Sequence, residues 1–312
     1  MKRLLTAAIL AILPCAGASL LRAGQDPAAG PVMRVTIRTQ QDAVYPRSAL
    51  ILTMTFTNPG ETPVTLDAEA FAPDRFLIVD TKGKGPGKLN REAPAARPLR
   101  IDGLETIEHE VNLSAWYPAL TSKLRVWEIT WSHGDMRPQP LLVKITRAYD
   151  PRKDRNAIVE TDLGRMVWRL MPEHAPNHVK HFVDLVRQGF YDGLTIYKAA
   201  PGLIAEGGDP NGDGSGGWDR LLMPEMSKTV SMKMGLVGSL RRESSVTNNS
   251  IFFITLGQND YMAGLQTFFA EVTSGIEVVA KLYRVPNRGD TGDAQAFLLT
   301  PPVKIQRITI KR

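Results

Sequence analysis

Residues 190–217 constrain the fold of this chain more than any other stretch, because they combine a tight turn with a glycine-rich loop. Two short apolar runs, 194–197 and 203–205, flank the dipeptide Pro201-Gly202. Proline fixes φ and glycine tolerates a positive φ, so this order predicts a β-hairpin. Residues 207–210 are expected to end the second strand, and four glycines between positions 212 and 217 form the loop that follows.

The same stretch matches a longer motif, F-H-R-V-I-P-G-F-x-x-Q-G-G-D followed by P-x-G-x-G-x-G-G, at its glycine, proline and aspartate positions. The matching residues are Pro201, Gly202, Gly207, Gly208, Asp209, Pro210, Gly212, Gly214, Gly216 and Gly217. The stretch therefore resembles the cyclophilin family of peptidyl-prolyl isomerases. Further family segments correspond to residues 223–225, 235–240, 248–255 and 261–270, so the resemblance covers residues 156–312. It implies a closed antiparallel β-barrel capped by two helices.

The resemblance also implies a set of site residues. The catalytic arginine of the family falls on Lys198, which is expected to hydrogen-bond the prolyl nitrogen as the amide twists. The cup for the proline ring is expected from Leu203, Phe253, Tyr261 and Met262, and further substrate contacts from Glu206, Ile251 and Gln266. Lysine lacks the planar, bidentate fork of arginine. The carboxylate of Glu206, where the family has a glutamine, is expected to pair with Lys198.

Three hypotheses about function follow from a site that differs from the family motif at these positions. The preferred one is a cyclophilin-type peptidyl-prolyl cis-trans isomerase that assists the folding of exported proteins, with reduced activity. The alternative is a catalytically inactive, cyclophilin-like module that binds a peptide or protein, with the N-terminal domain as an adaptor. A third reading is a cell-surface scaffold that does not bind proline.

Local patterns predict the elements of this second half. Strands are expected over residues 157–160 and 165–170, joined by a turn at 162–164, and over the alternating residues 303–310. A helix is predicted to begin at Pro176 and to end before Gly189. Its apolar stripe is Val179, Phe182, Val183 and Val186. A second helix is predicted over residues 275–283, with Ile276, Val279, Ala280 and Tyr283 on one face.

Residues 33–148 follow a different pattern, with apolar and polar residues alternating over short runs. Strands are predicted around residues 35–37, 50–56, 64–66, 76–79, 99–101, 107–111, 124–131 and 141–145. Short strands at this spacing, with no convincing helix between them, predict an immunoglobulin-like antiparallel β-sandwich. The charged residues 149–155 are predicted to link the two domains.

The start of the chain has the pattern of a secretory signal peptide, with Lys2-Arg3, a ten-residue apolar run and Ala16-Gly17-Ala18. Cleavage is expected after Ala18, and residues 19–32 are predicted to be a flexible spacer. Cys15 lies within this leader, so the mature chain is expected to contain no disulfide. An exported protein, periplasmic or extracellular, is predicted.

Composition and charge limit the classes of binding partner that are expected for this chain. Loss of Lys2 and Arg3 lowers the formal charge from +6 to +4, and the remaining basic residues are scattered among acidic ones. Neither a nucleic-acid partner nor a membrane-spanning segment is expected in the mature chain, and the oligomeric state stays open. The expected partners are proline-containing segments of unfolded exported proteins.

No cofactor or metal is expected. Residues 212–217 contain G-x-G-x-x-G, but no helix pattern follows. Residues 209–214 begin like an EF-hand loop, but its twelfth position is Arg220 instead of glutamate. The first predicted helix region carries His174, His178 and His181. These histidines are expected on a solvated helix face without a third metal ligand.

Overall fold

The computed structural model describes residues 33–40, 43–95, 97–218, 221–241, 247–248, 250–293 and 295–312. Over these residues the chain divides into two compact units, the first ending at Tyr149 and the second beginning at Asp150. The predicted leader and spacer, residues 1–32, lie outside the described residues. No helix among the described residues is long and apolar enough to cross a membrane.

Over its described residues, the first unit contains eight strands. They are β1 (Arg34–Thr39), β2 (Ile51–Thr57), β3 (Val64–Leu66), β4 (Phe76–Asp80), β5 (Leu99–Ile101), β6 (Thr106–Asn112), β7 (Arg125–Trp131) and β8 (Leu141–Ile145). They form antiparallel sheets in the orders β1-β2-β6 and β4-β7-β8 and a separate β3-β5 pair. Buried residues of both three-stranded sheets, among them Phe56, Ile78 and Trp131, belong to one core cluster. The immunoglobulin-like assignment stays a prediction.

The first unit also contains short helices that the alternating pattern did not predict. Helix α1 (Leu113–Trp116) follows β6 directly, because the Asn112 side chain accepts a hydrogen bond from the Ala115 N–H and caps the turn. Three 3-10 turns occupy Ala68–Phe71, Pro73–Arg75 and Pro118–Thr121.

The second unit is a closed, eight-stranded antiparallel barrel, which confirms the predicted fold class. Its strands follow one another around the barrel in the order β10-β17-β14-β16-β12-β11-β18-β9, and β13 and β15 form a separate pair. The strands are β9 (Asn156–Thr161), β10 (Gly164–Leu170), β11 (Thr195–Ala200), β12 (Ile204–Asp209), β13 (Leu221–Leu222), β14 (Leu236–Ser239), β15 (Thr247–Asn248), β16 (Phe252–Thr255), β17 (Thr267–Ser274) and β18 (Leu298–Lys311).

The central hairpin forms as predicted, but its second strand is longer. The Leu203 N–H donates to the Ala200 carbonyl across the turn, and Gly202 has a φ of +75°. Strand β12 continues through Gly207 and Gly208 to Asp209. A Cβ on Gly207 would lie 2.9 Å from Phe252 Cζ, so the glycines accommodate the packing of a ring instead of ending the strand.

In the part of this unit that the structure describes, two helices and a 3-10 turn accompany the barrel. Helix α2 (Pro176–Gln188) begins at Pro176 and ends at Gly189, whose φ of 75° is left-handed, as predicted. Helix α3 (Ile276–Leu282) buries Val278, Val279 and Leu282. The predicted face was therefore wrong, since Ile276 and Tyr283 are 40% and 48% exposed. The 3-10 turn is Asp260–Met262.

The charged segment predicted as a linker packs within the second unit. Arg187 Nη2 of α2 donates to Asp154 Oδ2 at 2.7 Å, and the Asp154 side chain is fully buried. Asn156 already begins β9, where it is paired with Arg169 of β10. Residues 150–155 are therefore part of the barrel unit and do not form a free connection.

Candidate active site on the barrel wall

Five barrel strands each place one residue in a row across the barrel wall. Lys198 of β11 is paired with Glu206 of β12, and Glu206 is paired with Phe253 of β16. Phe253 is paired with Gly238 of β14, which is paired with Phe268 of β17. Directly opposite residues of antiparallel strands carry their side chains on the same face. We call these five residues the cross-strand row; it puts Lys198 and Phe253 on one face, with Glu206 between them.

The apolar end of the row is a packed cluster that we call the apolar cup. Phe253 and Phe268 meet edge to face, with ring centroids 5.6 Å apart. Phe253 is 1% exposed and Met262 is 6% exposed. The cup consists of Met171, Val230, Met232, Leu236, Phe253, Met262 and Phe268, with Ile204 and Leu240 partly buried at its edge. Its methionines can adapt to a ligand, because their side chains are unbranched and flexible.

Gly238 allows the Phe253 ring to lie close to the neighbouring strand. A Cβ at this position would lie 2.3 Å from Phe253 Cζ and 2.9 Å from the Thr267 carbonyl oxygen. Any side chain would therefore push the ring out of its place. The preceding residue of β16, Phe252, is on the opposite face and packs against Trp168 and Tyr191.

The polar end of the row contains an ion pair. Lys198 Nζ lies 3.8 Å from Glu206 Oε1, and the side chains are 25% and 11% exposed. The other carboxylate oxygen, Oε2, accepts a hydrogen bond from the Tyr197 hydroxyl at 2.9 Å. The predicted pairing of Glu206 with Lys198 is present in the structure.

Leu203 and Tyr261 are the exposed members of the predicted cup. They are 43% and 65% exposed, and neither belongs to the packed cluster. Asn259 ties their two segments together, since its Nδ2 donates to the Leu203 carbonyl at 3.0 Å and to the Gly257 carbonyl at 3.3 Å. The 3-10 turn that carries Tyr261 and Met262 is thereby held beside the hairpin turn.

The two remaining predicted contacts lie outside the row. Ile251 is 1% exposed and lines a small internal cavity with His178, Tyr191 and Phe252. Gln266 is half-buried and directly precedes β17.

Sequence reasoning missed Tyr197, Gly238 and Phe268, and it also missed four buried members of the cup, Met171, Val230, Met232 and Leu236. For Phe268, the apolar run 268–270 was a usable signal, because alternation with Phe269 separates the two faces. Gly238 carried a weaker signal as a glycine inside a strand, which often marks close packing. Tyr197 carried none, because simple alternation would put it on the face opposite Lys198.

The glycine loop after β12 is organised by a buried carboxylate. Asp209 is 1% exposed and accepts hydrogen bonds from the backbone N–H groups of Asn211, Asp213 and Gly214. The carboxylate that resembles the first EF-hand ligand is thus bonded to its own loop. Within the described residues, no group of three His, Cys, Asp or Glu side chains is arranged to hold a metal ion.

The N-terminus of α2 is capped by a residue distant in sequence. Glu225 accepts from the N–H of Asn177 and from the N–H and Nδ1 of His178, while His178 Nε2 contacts Thr247 Oγ1 at 2.7 Å. His178 and His181 are 3% and 6% exposed, so the expectation of a solvated histidine face was wrong. Burial lowers the pKa of His178, and its hydrogen bond to Glu225 offsets this in part.

Comparison with known proteins decides the family. The model of the family "cyclophilin type peptidyl-prolyl cis-trans isomerase/CLD" matches residues 157–310. Peptidyl-prolyl cis-trans isomerase ppi1 of Schizosaccharomyces pombe is 31% identical over 141 residues, which cover 44% of this chain and 90% of the relative. The chain belongs to the cyclophilin family.

Other proteins match the same cyclophilin domain. Peptidyl-prolyl cis-trans isomerase-like 1 of Gibberella zeae is 30% identical over 130 residues, covering 41% of this chain and 80% of the relative. A crystal structure of a cyclophilin-type isomerase from Cryptosporidium parvum is 24% identical, with a TM-score of 0.46, and the match covers 50% of this chain and 99% of that one. Residues 33–149 lie outside the region that the family model matches.

Proposed function

We propose that the cyclophilin domain catalyses cis–trans isomerisation of X-Pro bonds in proline-containing peptide segments. One observation carries this proposal: the cross-strand row puts the Lys198 cation and the Phe253 ring on one face of the barrel wall. Two strand spacings separate them, which corresponds to roughly 10 Å between their backbones. Membership of the isomerase family supports the proposal.

The reaction needs few groups. Rotation about the X-Pro bond passes through a twisted amide that has lost C–N resonance, with a barrier of about 18–20 kcal/mol. The cup receives the proline ring, and Lys198 donates a hydrogen bond to the prolyl nitrogen as its lone pair localises. No bond to the protein forms, and the reaction needs no cofactor. A lysine makes one such contact where an arginine makes two, so a slow isomerase is expected.

The test is an isomerase assay on the full chain, by two-dimensional NMR exchange with a proline peptide. Replacing Lys198 by alanine should lower kcat/KM by about 10²–10³, the usual cost of a lost electrostatic donor. Lys281→Ala is the matched control, because Lys281 lies on α3 and donates to the Leu163 carbonyl. Lys198→Arg should retain or raise the rate.

A second candidate function is a peptide- or protein-binding module without isomerase activity. The pairing of Lys198 with Glu206 favours it, because the carboxylate offsets part of the positive charge that the reaction needs. Equal inactivity of the wild type and Lys198→Ala, with binding of the proline peptide intact, would establish this function in place of the first.

We also propose that the protein is exported and acts on exported clients, in the periplasm or outside the cell. The support is the signal-peptide pattern of residues 1–18, which lie outside the described residues. The measurement is the intact mass of the chain recovered from the expressing bacterium. A mature N-terminus at Ser19 is expected, and an uncleaved chain confined to the cytoplasm would contradict export.

A further inference from the structure

Tyr197 is the extra residue of a β-bulge. Ile196 is paired with Gly207 and Lys198 with Glu206. Strand β11 therefore advances by two residues where β12 advances by one, and Tyr197 is the additional residue. A bulge interrupts strict alternation and redirects a side chain. Tyr197 is 2% exposed, and its hydroxyl reaches the carboxylate of Glu206, which belongs to the same row as Lys198.

The two oxygens of the Glu206 carboxylate have different neighbours. Oε2 accepts the Tyr197 hydroxyl at 2.9 Å, whereas Oε1 lies 3.8 Å from Lys198 Nζ. A hydrogen bond from a hydroxyl to a carboxylate is strong and directional, so it sets the orientation of the carboxylate. The longer contact is an ionic attraction that takes none of the three ammonium N–H donors.

We infer that Tyr197 is a positioning residue, which orients Glu206 so that its carboxylate localises the Lys198 ammonium beside the apolar cup. This inference rests on the proposed isomerase function, in which Lys198 meets the substrate. The lysine stem has four flexible carbons, so the ammonium has no fixed place of its own. A group that reduces this freedom contributes to rate through orientation.

The test compares Tyr197→Phe with Tyr191→Phe in the full chain. Tyr191 is a matched control, because it is also 2% exposed and its hydroxyl donates to the Ser250 carbonyl at 3.1 Å, away from the row. Two quantities are measured: kcat and KM for the proline peptide, and the ¹⁵Nζ resonance of Lys198, assigned with Lys198→Ala. Tyr197→Phe should shift this resonance and lower kcat about tenfold at unchanged KM, less than loss of a direct donor.

Each result is decisive for the inference. An unchanged Lys198 resonance in Tyr197→Phe, or an equal shift in Tyr191→Phe, would overturn it. Loss of the folded amide spectrum in Tyr197→Phe would make the hydroxyl a folding determinant and would overturn it as well. The resonance reports on positioning without catalysis. A wild type without isomerase activity would therefore refute the proposed function, while the resonance would still decide the role of Tyr197.

Discussion

Glu206 sets the electrostatics of the site at the scale of single residues. Its carboxylate is nearly buried and faces one cation, so the positive charge available to a substrate is smaller than that of Lys198 alone. A carboxylate also cannot donate a hydrogen bond, unlike the glutamine that the family motif has at this position. Under the proposed isomerase function, peptide carbonyls therefore find their donors elsewhere, and Lys198 and the cup carry the reaction.

We predict that Gly238 is necessary for peptide binding, because it leaves room for the Phe253 ring. Gly238→Ala places a Cβ 2.3 Å from Phe253 Cζ. Overpacking of this kind costs about 1–3 kcal/mol of the free energy of unfolding. The displaced ring should also weaken binding of a proline peptide by about tenfold or more, measured by NMR titration alongside urea unfolding.

The control for this change is Gly85→Ala. Gly85 has no positive φ, and a Cβ there would meet nothing closer than the Ile78 carbonyl at 3.9 Å. Its effects on peptide binding and on stability should be near zero. Unaltered peptide affinity in Gly238→Ala would show that the Phe253 ring is not part of the binding surface.

Helix α2 depends on Glu225, because its own N-cap, Ala175, makes no side-chain hydrogen bond. Burial raises the pKa of Glu225, but hydrogen bonds from the His178 side chain and from the N–H groups of His178 and Asn177 outweigh burial. The pKa therefore lies below 4.5. A carboxylate whose pKa is lowered on folding adds to the free energy of unfolding above pH 4.5. This contribution is lost as the pH falls through the pKa of the folded state.

We predict that Glu225→Gln destabilises the barrel unit by about 1–3 kcal/mol at neutral pH. The difference from wild type should shrink as the pH falls below 4.5 and through the lowered pKa of the wild-type carboxylate. Hydrogen exchange of the β9 and β10 amides measures this at each pH. Glu173→Gln serves as the control, since its ion pair with Arg169 is largely exposed. If the difference in stability between Glu225→Gln and the wild type were the same at every pH, Glu225 would not act as an ionised cap of α2.

Elements with a regular period were predictable from sequence, and those set by tertiary packing were not. Pro176 and Gly189 mark both ends of α2 by their backbone preferences alone. By contrast, β12 continues through two glycines because Phe252 and Tyr191 need the space. The bulge at Tyr197 has no sequence signature, because it depends on how β11 is paired with both of its neighbours.

At the scale of the whole molecule, sequence motifs predicted the barrel better than the site. The glycine and proline positions of residues 201–217 constrain the backbone path, which is why the barrel could be predicted. The site depends on side chains that meet across strands. The family motif identified Lys198, Glu206 and Phe253 as site residues, but it gave no role to Tyr197. Ile251 was likewise taken from the family position, and its side chain lies buried outside the row.

The cross-strand row is assembled from segments as far apart as positions 198 and 268. No short stretch of the chain contains a binding surface by itself, so the surface exists only after the barrel has closed. Before closure, the same strands display their valines, leucines and phenylalanines to solvent as any unfolded polypeptide does. A newly made molecule therefore has no such row until its own barrel has closed.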